Sequence, residues 1–121
     1  MASYRELIVW QKAMELVEEV YRLSKLLPRE ETYALSDQMR RAVVSVPSNI
    51  AEGHGRNYEK EFLRFLSIAQ GSRAELDTQI EICIRLKYID EEQVVAAQNL
   101  SNEVGKMLRK MIQNLKLGTT N

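Results

Sequence analysis

The chain has 121 residues, with 17 basic and 17 acidic side chains that leave it formally neutral, 45% hydrophobic and 28% charged. That is the length of one domain, with enough apolar residues to exclude intrinsic disorder, and a single cysteine, Cys83, excludes an internal disulfide or a cysteine-built zinc site. The longest uncharged runs, 42–51 and 93–102, fall well short of the ~20 residues of a membrane span, and the apolar stretch at 7–10 is too short for a signal peptide, so the expected location is the cytoplasm, with no membrane partner.

In chain order, Val9, Ala13, Leu16, Val20, Leu23 and Leu27 recur at heptad spacing, predicting a helix over 8–27 that Pro28 ends. Leu35, Met39, Ala42, Val46 and Ile50 predict a second over 34–53, closing at Gly53 and Gly55 in the left-handed conformation. Pro47 lies inside it at a cost of ~3 kcal/mol, yet the apolar register passes through unchanged, so one kinked helix is expected rather than two short ones. Asn57 as N-cap opens a third over 58–87, carried by Phe62, Leu66, Ala69, Leu76, Ile80 and Cys83 with Arg73 as the one intruder. Asp90 and Gln93 form a capping box for a fourth over 91–117, with Val94, Ala97, Ser101, Val104, Leu108, Met111 and Leu115 as its seam and Gly118 as its stop. Four helices and short loops give an all-α, antiparallel up-down-up-down four-helix bundle, one domain over 1–121 with an ordered core at about 8–117.

Several landmarks follow one another in order: Val9-Trp10-Gln11-Lys12-Ala13, Gln38-Met39-Arg40-Arg41-Ala42, Ser48-Asn49-Ile50-Ala51-Glu52-Gly53, Glu61-Phe62, Phe65-Leu66, Ile68-Ala69 and Gly71-Ser72 with Glu75. Together they resemble the bacterial four-helix-bundle family whose founding members are encoded by intervening sequences within 23S rRNA genes. The resemblance implies a four-helix bundle and a homopentamer. A related branch, the accessory variability determinant proteins of diversity-generating retroelements, is a basic pentamer that binds nucleic acid and a reverse transcriptase. The present chain differs from that branch in its balanced charge.

No residue set predicts catalysis, a metal or a cofactor. His54 is the only histidine and reads as a solvated loop residue; Cys83 and the methionines Met39, Met107 and Met111 read as core filler. A polar stripe on the second helix, facing the third, predicts a structural ion-pair network of Arg41, Asn49, Glu52, Arg64 and Glu75, with each carboxylate meeting a cation. A second apolar stripe on the first helix, Trp10, Met14, Val17 and Tyr21, predicts an oligomer interface. Up-down-up-down topology gathers nine bases against four acids at one end and seven against ten at the other. Arg56, Lys60, Lys106, Arg109 and Lys110 on the basic end are candidates for binding RNA or DNA through backbone charge alone, without base stacking. Two functions are therefore open: a non-catalytic oligomeric scaffold, and a nucleic-acid-binding accessory protein.

Overall fold

The computed structural model describes residues 3–120. Among them there are four long helices and no strand: α1 (Ile8–Ser24), α2 (Leu35–His54), α3 (Glu59–Arg85) and α4 (Val95–Thr120), with single 3-10 turns at Tyr4–Glu6 and Arg29–Glu31. Each helix packs on its sequence neighbours and α1 closes against α4, which is the up-down-up-down bundle.

The seams form the core. Val9, Ala13, Leu16, Val20 and Leu23 of α1 are all buried, as are Met39, Ala42, Val46 and Ile50 of α2. Leu66, Ala69, Leu76, Ile80 and Cys83 face Val94, Ala97, Val104 and Leu108 across the α3–α4 contact side. The core has two layers. Leu16, Met39, Leu76 and Val94 belong to one, and Val9, Ile50, Leu66 and Val104 to the other.

The boundaries shift for identifiable reasons. Helix α1 stops at Ser24, three residues short of the expected end, where the Ser24 hydroxyl donates to the Tyr21 carbonyl and Leu26 N–H bonds back to Leu23. Leu27 stays buried although it has left the helix, because Pro28 holds extended backbone beyond it. Helix α2 is unbroken through the buried Pro47. Neither Gly53 nor Gly55 is left-handed. Gly53 is instead a point of close approach, since a Cβ there would lie 2.7 Å from Phe65 Cβ and 3.0 Å from Phe62 Cδ1.

Tyr58, not Asn57, is the N-cap of α3; its carbonyl accepts the first helical bond, from Phe62 N–H, and no side chain caps that end. Helix α3 closes in a Schellman motif, with Tyr88 N–H on Cys83 and Lys87 N–H on Ile84, and Lys87 takes the left-handed position at φ 63°. The capping box before α4 forms as expected. Gln93 N–H donates to Asp90 Oδ1 at 2.9 Å and Asp90 N–H donates to Gln93 Oε1 at 2.9 Å, although regular helix starts only at Val95. Gly118 does not stop α4, because its backbone keeps negative φ and the helix continues to Thr120.

Candidate functional site

Three surfaces and one buried network are candidates for function. The first surface lies between α1 and α2. Trp10, Met14 and Val17 of the outer α1 stripe, with Tyr4, Val44, Pro47 and Ala51, line an open groove of about 320 Å³. Met14 is 40% exposed, and Tyr21 continues the stripe outside the groove at 39%. Tyr4 packs edge-on against Trp10 with ring centroids 5.2 Å apart, and Arg5 covers both rings. Pro47, inside α2, cannot donate the helical bond to the Val43 carbonyl, and it lines this groove.

The second surface, the polar stripe between α2 and α3, pairs differently from the expected network. Arg41 bonds Asp37 at 2.9 Å, Glu52 bonds Arg56 at 2.8 Å and Arg64 bonds Glu61 at 3.2 Å, each within a helix or its immediate cap. Glu75 accepts only from Gln79, and Asn49 donates to the Ser45 carbonyl and hydroxyl. Within this stripe, among the described residues, one side-chain hydrogen bond crosses between the helices, joining the hydroxyls of Ser45 and Ser72 at 2.8 Å. Register is not what keeps them apart. The Ser45–Ser72 contact and the approach of Gly53 to Phe65 move Arg41 about one helical turn from Ser72 but leave it nearly level with Glu75, and Glu52 nearly level with Arg64. Arg41, Glu52 and Arg64 instead take the opposite charge that lies three or four residues away on their own helix or its cap.

The network that does cross helices joins α3 to α4. Arg73, only 14% exposed at its side chain, bonds Asp77 and Gln70 and reaches the Ser101 hydroxyl and carbonyl. Ser101 donates to Asp77 at 2.7 Å, and Gln70 donates to the Gly105 carbonyl at 3.2 Å. This set sits at the boundary between the two core layers. The sequence carried a signal for it, because Arg73 and Ser101 are the polar members of two apolar seams and would be expected to meet. Each buried polar atom there has a partner, so the network selects one register of α3 on α4.

Cys83 lies against Met39 with the sulfurs 3.5 Å apart, and burial first, then the Glu31 charge, pushes its thiol up to about 11. That suits an inert core thiol and opposes a nucleophile. Nearby, the hydrogen bond that Tyr88 donates to Glu31 at 2.8 Å raises the phenol's pKa, with burial adding to it. No group of three or more His, Cys, Asp or Glu among the described residues could hold a metal ion.

The third surface is the end of the bundle at the α2–α3 turn. Gln70 against Gly105 and Glu59 beside Gly118 place the C-terminal half of α4 along the start of α3, so Arg56, Lys60, Lys106, Arg109 and Lys110 share one half of the bundle. Arg56 is tied to Glu52, whereas Lys60, Lys106, Arg109 and Lys110 have no carboxylate partner among the described residues. Arg56 and Arg64 also clasp the Phe65 ring, at 5.2 and 4.5 Å from its centroid.

Two readings of this end are corrected. His54 is the last residue of α2, not a loop residue, and packs edge-on against Phe62 with centroids 5.9 Å apart. An aromatic residue does lie among the bases, for Tyr58 stands between Arg56 and Lys60 and is 73% exposed.

The profile of the 23S rRNA-intervening sequence protein family matches residues 5–110. No curated protein matches. Among solved structures, a protein of unknown function from the S23 ribosomal protein family of Bacteroides thetaiotaomicron is similar. It is 30% identical, with a TM-score of 0.80 over 87% of this chain and 98% of its own.

Proposed function

Because the chain belongs to the 23S rRNA-intervening sequence protein family, whose solved relative is of unknown function, we propose that it is a non-catalytic scaffold of the cytoplasm that works as a homo-oligomer. The observation that carries this reading is the groove between α1 and α2. Trp10, Met14, Val17 and Val44 leave apolar surface in contact with water along two adjacent helices, where the seam beneath already fills the core. Burying such a stripe against another copy removes that surface from water at roughly 25 cal/mol per Å². The family resemblance makes five the expected number of copies. Light scattering at micromolar concentration tests the assembly, and Met14→Glu, which alters an already exposed side chain, tests the surface.

A second reading, binding of RNA or DNA, is favoured by Lys60, Lys106, Arg109 and Lys110, which share one half of the bundle and have no carboxylate partner among the described residues. In a ring of cyclic symmetry these bases repeat on one face and present an array to phosphates. Such binding rests on counterion release and weakens steeply with salt, by roughly 10³-fold between 50 and 200 mM if six phosphates are engaged. Charge reversal at Lys106, Arg109 and Lys110, with helicity and mass unchanged, abolishes it on this reading.

A further inference from the structure

We propose that the groove at the α2–α3 turn is a stacking subsite for one unpaired base of a single-stranded nucleic acid, with flanking phosphates on Lys60 and Arg56. This rests on the nucleic-acid reading above and adds a contact that a duplex does not make. The groove is the concave surface where α2 ends and α3 begins, about 560 Å³, and His54, Arg56, Asn57, Tyr58, Glu59 and Phe62 are among the residues that line it.

Its chemistry is what a base requires. Tyr58 is 73% exposed and makes no side-chain hydrogen bond or ring contact with another described residue, which leaves its ring face open. His54 and Phe62, packed edge-on at 83°, line the same groove. A flat ring entering it can stack on the exposed Tyr58 ring, and every base offers such a face. Asn57, exposed and lining the groove, makes no side-chain hydrogen bond to another described residue, so its amide can offer a donor and an acceptor to a base edge.

The excess positive charge near the groove comes from α4. At the turn Glu61 is held by Arg64 and Glu52 by Arg56, and Lys60 and Glu59 make no ion pair with another described residue, so the turn is balanced. Lys106, Arg109 and Lys110 add three bases without a carboxylate partner among the described residues. Lys110 on α4 lies eight residues before Gly118, which flanks Glu59, so it stands about 12 Å along the bundle from the turn. A strand with one base in the groove can therefore run its backbone toward the α4 bases. A duplex keeps its bases stacked on one another and reaches only the lysines and arginines.

The test compares two fluorescein-labelled probes by anisotropy in about 50 mM salt, an oligothymidylate of about 12 nucleotides and a duplex of the same length. Tyr58→Ala weakens binding of the single strand about tenfold and leaves duplex binding within about twofold, whereas Tyr58→Phe binds both as the wild type does. Tyr58→Ala binding the single strand as tightly as wild type, or losing both probes equally, overturns the stacking subsite and leaves the basic surface standing. Wild type binding neither probe overturns both.

Discussion

The guanidinium of Arg73 occupies the space that a side chain at Gly105 would fill. A Cβ added at Gly105 falls 2.6 Å from Arg73 Cζ and 2.8 Å from its Nε. Gly105→Ala should therefore destabilise the bundle even though alanine is the better helix former by about 1 kcal/mol. Arg73 must withdraw from Ser101 and Asp77, and hydrogen bonds to a charged group contribute about 1.5–3 kcal/mol each. A net loss of about 1–2 kcal/mol is expected. In an Arg73→Ala background the same glycine change becomes neutral or stabilising, and a double-mutant cycle by urea unfolding measures that reversal.

Two other glycines should respond in opposite directions. Gly53→Ala drives a methyl into Phe65 Cβ, an atom fixed to the α3 backbone, and should cost about 1–3 kcal/mol. Gly71, exposed in mid-α3, has nothing within 4 Å of an added Cβ, so Gly71→Ala should stabilise by about 1 kcal/mol. Equal effects at both sites would contradict the close approach of α2 and α3.

Lys87 is left-handed at φ 63°, a conformation that costs an L-residue about 1–2 kcal/mol. Lys87→Gly relieves that cost and loses about 0.5–1 kcal/mol through the freer unfolded chain. The expected result is a Tm about 2–4 °C higher by calorimetry. A β-branched residue, as in Lys87→Val, should lower it.

These effects mark what a reader of the sequence could find. The heptad step alone identifies the four helices and their buried faces, because a residue recurring every three or four positions has one side to hide, and Val9 through Leu23 hide it. Periodicity says nothing about how far one helix slides along the next. Nor does it say which charges on facing helices will pair: Arg41, Glu52 and Arg64 each have an opposite charge three or four residues away on their own helix or its cap and bond that, while Asn49 bonds Ser45 and Glu75 bonds Gln79. Arg73 stood out as polar on an apolar seam, and its pairing with Ser101 was within reach. What the glycine at position 105 was for becomes visible only when the guanidinium is seen lying on it.

Stability should also depend on pH through Cys83. Its thiol ionises at about 11 in the folded protein against an ordinary 9.0, because burial opposes the thiolate. Below 9 both states hold the proton and the full stabilisation is present. Between 9 and 11 the unfolded chain releases the proton while the fold retains it, so stability falls as pH rises through that window. Urea midpoints at pH 8 and pH 10.5 should drop less for Cys83→Ala than for wild type, and parallel drops would rule out this contribution.

In a homo-oligomer built through the α1–α2 groove, another copy of the chain covers Trp10, Met14 and Val17. Light scattering coupled to size exclusion, at micromolar concentration, measures this directly. The predicted result is a mass that is a whole multiple of the 14.0 kDa chain, five-fold on the family resemblance, falling to the single-chain mass with unchanged helicity in Met14→Glu. Wild-type protein eluting at 14.0 kDa would contradict it.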